Sequence, residues 1–304
     1  MSEKWKTATV LVVSSQVGRG AIGARAAAFA LERLGHAVWL VPTVWMPWHP
    51  GHGPSTRLAP DPIAFAEALA EIAESPNAGE IGWVLTGYFA DATQVEATAR
   101  LVERLRLGNP GLRLVVDPVL GDGDGHGRGG LYVAETLARA VRDRLIPLAD
   151  VATPNRFELG WLTARAPEDT TAAITAARAL APPITVVTSA PAMMTRSVGT
   201  LLVTADAATQ FEHPLIEAAP HGTGDLFAGL LTARLADGHP AEAATARAVA
   251  SVFEMIARSA RAGADELVLA EEQDTLVHPM AQVSTRRIGE ARARRPVARP
   301  TSLE

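Results

Sequence analysis

The sequence predicts an α/β fold with a central, mostly parallel β-sheet and helices on both of its faces. Short apolar segments rich in β-branched residues alternate along the chain with longer segments that have helical spacing. This alternation is typical of a parallel sheet that is covered on both faces. The chain has 304 residues, of which 48% are hydrophobic. That is enough to build one large core, and we expect a single domain over residues 1–282.

Predicted strands and helices follow one another in pairs through the first half of the chain. The strands are predicted at 7–15, 36–42, 82–88 and 112–118, and the helices at 21–35, 61–74, 91–107 and 133–145. Asp61 and Asp91 stand where N-caps are expected, and Pro62 occupies the first helical position. A glycine closes the first helix. Residues 43–60 contain four prolines and therefore predict a loop.

The second half continues the alternation up to a tail of different composition. Strands are predicted at 150–154, 184–190 and 199–205, the last as an antiparallel addition, and helices at 223–236 and 241–261. The final segment, residues 283–304, has six arginines and no apolar face. We expect it to be a disordered basic tail, with a functional basic arm as the alternative.

Composition excludes several classes of site and partner. The chain has no cysteine, which rules out disulfides, thiolate metal sites and a cysteine nucleophile. The formal net charge of -5 gives no support to a nucleic-acid partner. No apolar run reaches the ~18 residues of a membrane span, and the first ten residues are too polar for a signal peptide. We expect a cytoplasmic protein that binds neither nucleic acid nor membrane.

Polar residues gather where the predicted strands end, and parallel sheets bind ligands at the carboxyl ends of their strands. These residues are Ser14 to Gln16, Thr86 to Tyr88, Asp117, Thr153 to Asn155, and Thr188 with Ser189. We therefore expect the functional site at this edge of the sheet.

The segment HGTGD, residues 221–225, precedes an apolar helix. Gly222 and Gly224 allow the backbone to curl so that the free N–H groups of the helix start converge, and such a pocket stabilises an anion. Asp225 on its rim could accept a proton from a hydroxyl that attacks a bound phosphoryl group. Taken alone, the motif leaves open a plain helix start with an acidic first turn.

Further segments in the same order resemble those of the pyridoxal kinase family, within the ribokinase-like superfamily. They are SSQVGRGAIG (14–23), LTGY (85–88), VVDPVLGD (115–122), ADVATPNRFELGWLT (149–163), TSAP (188–191) and the HGTGD segment. The resemblance covers residues 8–262 and implies a ribokinase-like three-layer sandwich. It implies an enzyme that phosphorylates the 5′-hydroxymethyl group of pyridoxal, pyridoxine or pyridoxamine with ATP. A homodimer is also expected from the resemblance.

The resemblance assigns roles to particular positions of this chain. Asp225 is expected to be the general base, with the amides of Gly222, Thr223 and Gly224 as the anion hole. ATP and Mg²⁺ are the implied cofactors, and a monovalent cation is left open. The expected ATP-side residues are Asp117, Thr153, Asn155, Glu158, Thr188 and Ser189, of which Asp117 and Glu158 serve the metal. The expected substrate-side residues are Ser15, Thr43, His49 and Tyr88.

Plain structural roles remain open for several of these residues. Asn155 has the position of a helix cap, Tyr88 could belong to the core, and Thr188 with Ser189 could form a turn. The glycine-rich run at 121–130 is no EF-hand loop, because Val133 stands where that loop needs a glutamate. Its glycine content predicts a mobile flap, with a plain connector as the alternative, and the resemblance implies that this flap lies beside the ATP phosphates.

The segment 45–57 departs from the family pattern on the acceptor side. Trp45, Trp48, His52 and Ser55 replace the residues expected there, and His49 is kept. Gln16 likewise replaces a histidine of the first motif. The reaction class is therefore better supported than the substrate. Two alternatives remain open. The protein phosphorylates a hydroxymethylpyrimidine or another small alcohol, or it is a catalytically weak protein that binds a vitamer or a nucleotide.

Overall fold

The predicted strands join in one large sheet in the computed structural model, which describes residues 8–123, 129–217 and 219–289. Nine strands of the described residues form this sheet. They are β1 (Thr9–Val17), β2 (Val38–Met46), β3 (Ile81–Thr86), β4 (Arg113–Val116), β7 (Val151–Ala152), β8 (Ile184–Ala190), β9 (Ser197–Val203), β10 (Ala208–Pro214) and β11 (Ser284–Ile288). A separate two-stranded ribbon consists of β5 (Gly121–Gly123) and β6 (Gly129–Leu131).

The order of the strands across the sheet is β11-β10-β9-β8-β7-β4-β3-β1-β2. Six neighbouring strands are parallel to one another, namely β2, β1, β3, β4, β7 and β8. Strands β9, β10 and β11 extend the sheet with antiparallel pairs. The prediction that 199–205 is an antiparallel addition is thus confirmed. Because β1, β3, β4 and β7 are parallel neighbours, their carboxyl ends lie along the same edge.

Helices cover both faces of the sheet. They are α1 (Ala24–Arg33), α2 (Pro62–Glu74), α3 (Ala92–Gly108), α4 (Glu135–Ala140), α5 (Arg156–Thr163), α6 (Thr170–Leu180), α7 (Thr223–Ala236), α8 (Ala241–Arg261) and α9 (Asp274–Val277). Helices α2 to α6 contribute to one buried cluster and α1, α7, α8 and α9 to the other. Successive residues of β1 alternate between the clusters, with Leu11 in the first and Val12 in the second. This is the predicted three-layer arrangement.

Local capping chemistry sets several helix starts. The Asp61 carboxylate accepts hydrogen bonds from the amides at the start of α2, where Pro62 is the first residue. Asp91 caps α3 in the same way. Both predicted caps are confirmed, and in each case a side-chain oxygen satisfies N–H groups that have no acceptor within the helix.

Helix α7 is buried between α1 and α8, and it brings the 221–225 segment to the sheet edge. Its residues from Leu226 to Arg234 are all buried. A β-carbon on Gly229 would lie 2.8 Å from the Cα atom of Ala27 in α1. The glycine therefore lets the two helices approach closely.

Several observed elements were not predicted, and one predicted strand is longer than expected. Strand β10 and helix α6 fall in segments where we expected no element. Strand β2 continues to Met46 into the proline-rich segment, and Trp45 there pairs with Leu58 in an antiparallel bridge. Strand β10 was not predicted because Gln210, Glu212 and His213 are buried although they are polar. The strand therefore lacks the alternation of apolar and polar residues that marks a half-buried strand.

The predicted disordered tail is wrong for its first residues, because Ser284–Ile288 forms β11. This strand pairs with the exposed edge of β10, which satisfies backbone groups of both strands. Arg287 adds an ion pair with Glu242 at 2.8 Å. Four of the five side chains are exposed, so no apolar pattern marks the strand. Residues 290–304 lie outside the described residues, and their disorder stays a prediction.

The glycine-rich run begins and ends in the ribbon of β5 and β6, which pair antiparallel. The predicted flap at 124–128 lies outside the described residues. Among the helices of the described ranges, none has the length and apolarity needed to cross a membrane.

Candidate active site

The carboxyl ends of the central strands continue their hydrogen-bonded ladder into the residues predicted for the site. The Asp117 amide donates to the Thr86 carbonyl at 3.0 Å, and the Thr153 amide donates to the Val116 carbonyl at 2.9 Å. The backbone of the sheet therefore fixes Thr86, Asp117 and Thr153 side by side.

The start of α7 presents unpaired amides to the same edge. Gly222 is the N-cap with a φ of 90°, and no side chain caps the helix. The first helical hydrogen bond runs from the Leu226 amide to the Gly222 carbonyl, so the amides of Thr223 and Gly224 have no acceptor within the helix. A β-carbon on Gly224 would meet nothing within 4 Å. The amides predicted to form the anion hole therefore have no helical acceptor, and the side-chain position of Gly224 faces open space.

Asp225 is held at this helix start by backbone donors. Its carboxylate accepts hydrogen bonds from the amide of Gly23 and from its own amide. Burial raises its pKa to about 6, against the lowering effect of those hydrogen bonds. A carboxylate with this pKa is largely ionised at neutral pH yet basic enough to accept a proton.

A small cavity connects Asp225 with Asp117. Ser14, Thr86 and Gly87 are among the residues that line it. The Ser14 hydroxyl also accepts a hydrogen bond from the Tyr88 amide at 3.2 Å. No role was predicted for Ser14 beyond its place at a strand end. Its position in the cavity depends on the neighbouring strand, which no local pattern reveals.

Asp117 lies in a concentration of negative charge. It is buried, and it accepts a hydrogen bond from the Thr153 hydroxyl at 3.0 Å. Burial and the charges of Glu158 and Asp225 raise its pKa well above the ordinary value. A cation or a bound phosphate–metal unit would relieve this repulsion.

Glu158 and Asn155 form a capping box at the start of α5. The Glu158 carboxylate accepts from the amides of Asn155 and Leu120, each at 2.8 Å, and burial raises its pKa to about 7. The Asn155 side chain accepts from the Glu158 amide and donates to the Gly121 carbonyl. The capping role left open by the sequence is therefore present, and the predicted roles toward ATP and metal stay predictions.

Tyr132 is a second residue that the sequence did not single out. The residue is 57% exposed, but partial desolvation of its hydroxyl, followed by the charges of Glu158, Asp117 and Asp225, raises the pKa of that hydroxyl. It directly follows β6, so the ribbon that frames residues 124–128 brings this neutral hydroxyl close to the carboxylates. In the local sequence, only its position shortly after the glycine-rich run points to Tyr132 as a site residue.

An apolar cleft adjoins the start of α7 on the side of the antiparallel strands. Thr188, Ser189, Thr223 and Gly224 lie at its polar end. Its apolar walls include Val198, Leu215, Phe227, Val249, Val252 and Ile256. Ser189 has a φ of 49°, an uncommon conformation for a residue other than glycine. The structure thus brings the predicted Thr188–Ser189 pair to the predicted anion hole.

The predicted substrate residues on β1 and β2 lie on the other side of Asp225. Ser15 is buried beside Gly23, whose β-carbon position would be 2.5 Å from the Ser15 hydroxyl oxygen. Thr43 has no exposed surface, and its hydroxyl donates to the Tyr88 carbonyl at 2.7 Å. Arg57 donates to the Tyr88 hydroxyl and lies 5.3 Å from the ring centre. Tyr88 is therefore held from both ends.

His49 belongs to a group of three histidines, one of which, His221, begins the 221–225 segment. Its ring centre is 4.7 Å from that of His221 and 6.5 Å from that of His52. Burial, followed by the charges of the other two histidines, lowers the pKa of His49. The predicted substrate residue His49 thus contacts the residue that precedes the anion hole.

Comparison with known proteins assigns the chain to a family. The model of the phosphomethylpyrimidine kinase family matches residues 66–269. The chain is 33% identical over 287 residues to a pyridoxal kinase of Leifsonia xyli subsp. xyli, a match that covers 92% of this chain and 99% of that protein. The chain belongs to the pyridoxal kinase family. It is also 37% identical over 267 residues to a pyridoxine/pyridoxal/pyridoxamine kinase of Bordetella bronchiseptica, with 86% and 93% covered.

Solved structures agree with this assignment. A pyridoxal kinase of Leishmania donovani in complex with ADP has a TM-score of 0.84 and 28% identity, and the match covers 92% of this chain and 99% of that one. A pyridoxal kinase of Entamoeba histolytica has a TM-score of 0.84 at 24% identity, with 93% and 100% covered. The predicted ribokinase-like α/β fold is thereby confirmed. The roles of individual residues stay predictions.

Proposed function

We propose that this protein transfers the terminal phosphoryl group of ATP to the 5′-hydroxymethyl group of a B6 vitamer. The observation that carries the proposal is the position of Asp225. Its carboxylate shares a cavity with Asp117 and stands at the first turn of α7, beside the unpaired amides of Thr223 and Gly224. A base and an anion hole at adjacent positions are what phosphoryl transfer to an alcohol requires.

The chemical step follows from these positions. Asp225 accepts the proton of the hydroxymethyl group while that oxygen forms a bond to the terminal phosphorus of ATP. The bond from that phosphorus to the bridging oxygen breaks, and ADP leaves with the electron pair. The amides of Gly222, Thr223 and Gly224 stabilise the charge on the transferred group, because donors fixed by a helix start need no reorganisation.

The apolar cleft beside Thr188 and Ser189 fits the nucleotide. Its apolar walls suit a purine ring, and its polar end adjoins the α7 amides. In this proposal the hydroxyls of Thr188 and Ser189 donate to phosphate oxygens, which their position at the polar end of the cleft supports. Relatives support this assignment, since the Leishmania donovani pyridoxal kinase was solved with ADP.

The carboxylates at the sheet edge fit Mg²⁺. Among the described residues, no group of three or more His, Cys, Asp or Glu side chains is placed to enclose a metal. Mg²⁺ needs no such cage, because it takes one or two carboxylates together with substrate phosphates and water. Asp117 is the proposed ligand, with Glu158 acting through water because backbone amides already occupy its oxygens. The metal would neutralise phosphate charge during transfer.

The vitamer is proposed to lie on the β1–β2 side of Asp225, near Ser15, Tyr88 and His49. Thr43 would act on the vitamer by holding the Tyr88 backbone. A second candidate acceptor is a hydroxymethylpyrimidine. The match to the phosphomethylpyrimidine kinase family supports it, as does the altered segment 45–57.

We further propose that the protein is a homodimer. Strand β2 is an outer strand of the sheet, and the side chains of Leu40, Trp45, Leu58 and Ile63 near it are exposed. Exposed apolar groups of this kind are typical of protein interfaces. Sedimentation equilibrium measures the molecular mass directly, and a purely monomeric species would contradict the proposal.

A coupled assay of ADP release tests the proposed function. The acceptors are pyridoxal, pyridoxine, pyridoxamine and hydroxymethylpyrimidine, each with ATP and Mg²⁺. We expect turnover with at least one B6 vitamer at a higher kcat/KM than with the pyrimidine. Preference for the pyrimidine would favour the second candidate, and vitamer binding without ADP release would indicate a protein that binds without turning over.

A further inference from the structure

Glu266, in the segment that follows α8, lies outside every motif that led to the active site. Its side chain is only 13% exposed, and the adjacent Leu267 is buried in the core. The carboxylate is therefore held in a fixed place, and its contacts reach two loops, which in turn contact the 221–225 segment.

The first of these loops is residues 18–23, which follow β1. The Ala21 amide donates to Oε2 of Glu266 at 3.3 Å. A β-carbon on Gly20 would lie 2.5 Å from Oε1, and the residue has a φ of 106°, a conformation that favours glycine. Arg19 adds a charge contact at 3.8 Å.

The 18–23 loop in turn supports the catalytic segment. The Ala21 carbonyl oxygen lies 2.1 Å from the position that a β-carbon on Gly222 would take, so the two backbones are in direct contact. Two residues further along, the Gly23 amide donates to the Asp225 carboxylate. Glu266 thus backs the loop that holds the proposed base.

The second loop is residues 49–53 on the acceptor side. His52 Nε2 lies 2.9 Å from Oε1 of Glu266, close enough for an ion pair, although the two atoms do not form a hydrogen bond. At the other end of this loop, the ring of His49 contacts the ring of His221. The 49–53 loop therefore contacts Glu266 through His52 and the 221–225 segment through His49.

We propose that Glu266 is a positioning residue that sets the affinity for the acceptor by holding loops 18–23 and 49–53 against the catalytic segment. The inference rests on the proposed function for the identity of the acceptor. The direct contacts of Glu266 are with the 18–23 loop and with the acceptor-side loop, not with the nucleotide cleft. The apolar nucleotide cleft is lined by residues of β8 to β10, α7, α8 and the segment between β10 and α7, and Glu266 is not among them.

The test compares Glu266→Gln with a matched control, Asp274→Asn. Asp274 lies in the same C-terminal part of the chain and pairs with Arg33 at 2.7 Å, but its side chain is 88% exposed. For Glu266→Gln we expect the KM for the vitamer to rise about tenfold, because the neutral amide weakens the hydrogen bond from the Ala21 amide and removes the negative charge that faces Arg19 and His52. The KM for ATP stays within about twofold. The control should change neither constant.

A double-mutant cycle with His52→Gln tests whether the two side chains act together. If Glu266 holds the 49–53 loop through His52, the double variant is no worse in vitamer KM than Glu266→Gln alone. Additive effects of the two substitutions would contradict the proposed contact. Equal increases in the KM for vitamer and for ATP would contradict an acceptor-side role, and so would a lower melting temperature with both KM values unchanged.

Hydrogen exchange in the ligand-free protein gives a readout that does not depend on turnover. Glu266→Gln should exchange faster than wild type at the amides of 18–23 and 49–53, and Asp274→Asn should not. Unchanged exchange in both loops would overturn the positioning role even if the enzyme is active. Absence of turnover in the wild type with every acceptor would overturn the proposed function alone, because the exchange comparison still decides the role of Glu266.

Discussion

The Asp225 carboxylate is the residue on which the proposed chemistry depends most. Its pKa is raised to about 6 by burial, and backbone amides fix its direction. Asp225→Asn keeps the size of the side chain and removes its basicity. We expect kcat to fall by about two to four orders of magnitude, the usual contribution of a general base. Vitamer binding measured by calorimetry should persist, and near-normal turnover would remove the base assignment.

The same pKa predicts how activity depends on pH. The base works only when it is ionised, so kcat/KM for the vitamer should rise as the pH increases through about 6 and level off above it. A pH–rate profile on the acidic side checks this. A flat profile between pH 5 and 7 would contradict an essential carboxylate with this pKa.

Asp225 also links catalysis to stability. Because its pKa in the folded protein lies above that of the unfolded chain, ionisation of the carboxylate costs folding free energy. The cost is absent at low pH where both states are protonated, grows as the pH rises from the ordinary value of 3.8, and is full above about pH 6. Asp225→Asn should therefore stabilise the protein by about 1–2 kcal/mol at pH 8 and by less at pH 5. Urea denaturation at both pH values measures the difference. Equal stability of the two proteins at pH 8 would indicate that burial of the carboxylate carries no such cost.

At the scale of single elements, the start of α7 depends on a glycine in a left-handed conformation. Gly222 has a φ of 90° and lies directly against the Ala21 carbonyl. Gly238, just after α7, has a φ of 81° but open space around it. The two positions share the backbone conformation and differ in steric contact, which makes Gly238 the matched control.

Gly238→Ala should cost about 1 kcal/mol of unfolding free energy, the usual cost of a left-handed residue with a side chain. Gly222→Ala should cost about 3 kcal/mol or more, because a clash is added to the same strain. The second variant should also lose activity, since the shift displaces the anion hole. Chemical denaturation and the ADP assay measure both effects, and equal costs for the two variants would contradict the close contact.

A helix or strand could be predicted where residues in its own local sequence mark it, and was missed where it depends on tertiary contacts. The bounds of α7 and α8 match the predicted 223–236 and 241–261, because glycine and proline mark their starts. Strand β10 was missed because its buried polar residues are satisfied only by contacts made in the folded protein. The Met193 amide, for example, donates to the Glu212 carboxylate.

The residues of the site could likewise be predicted from local sequence only where they stand at the end of a predicted strand or the start of a predicted helix. Asp117, Thr153 and Asp225 stand at predicted strand ends or a helix start, and the structure brings them to one edge. The places of Ser14, Tyr132 and Glu266 depend on which segments pack together. Val119, two residues after Asp117, has a φ of 48°, which is a genuine outlier for a β-branched residue. The local sequence does not predict this conformation.

At the scale of the whole molecule, β11 closes the antiparallel side of the sheet. Its pairing with β10 and the ion pair between Arg287 and Glu242 attach the C-terminal segment to the domain. A chain ending at residue 289 should therefore be as stable as the full chain. A chain ending at residue 282 should lose about 2 kcal/mol or more, because the hydrogen bonds to β10 are removed. Urea denaturation compares the three proteins, and equal stability would show that β11 contributes nothing.

The most direct test of the account is a crystal structure with a non-hydrolysable ATP analogue and pyridoxal. We predict the terminal phosphate at the amides of Thr223 and Gly224, and the hydroxymethyl oxygen at about 2.6–3.2 Å from the Asp225 carboxylate. A terminal phosphate bound away from the start of α7, or an Asp225 side chain turned away from the hydroxymethyl group, would contradict it.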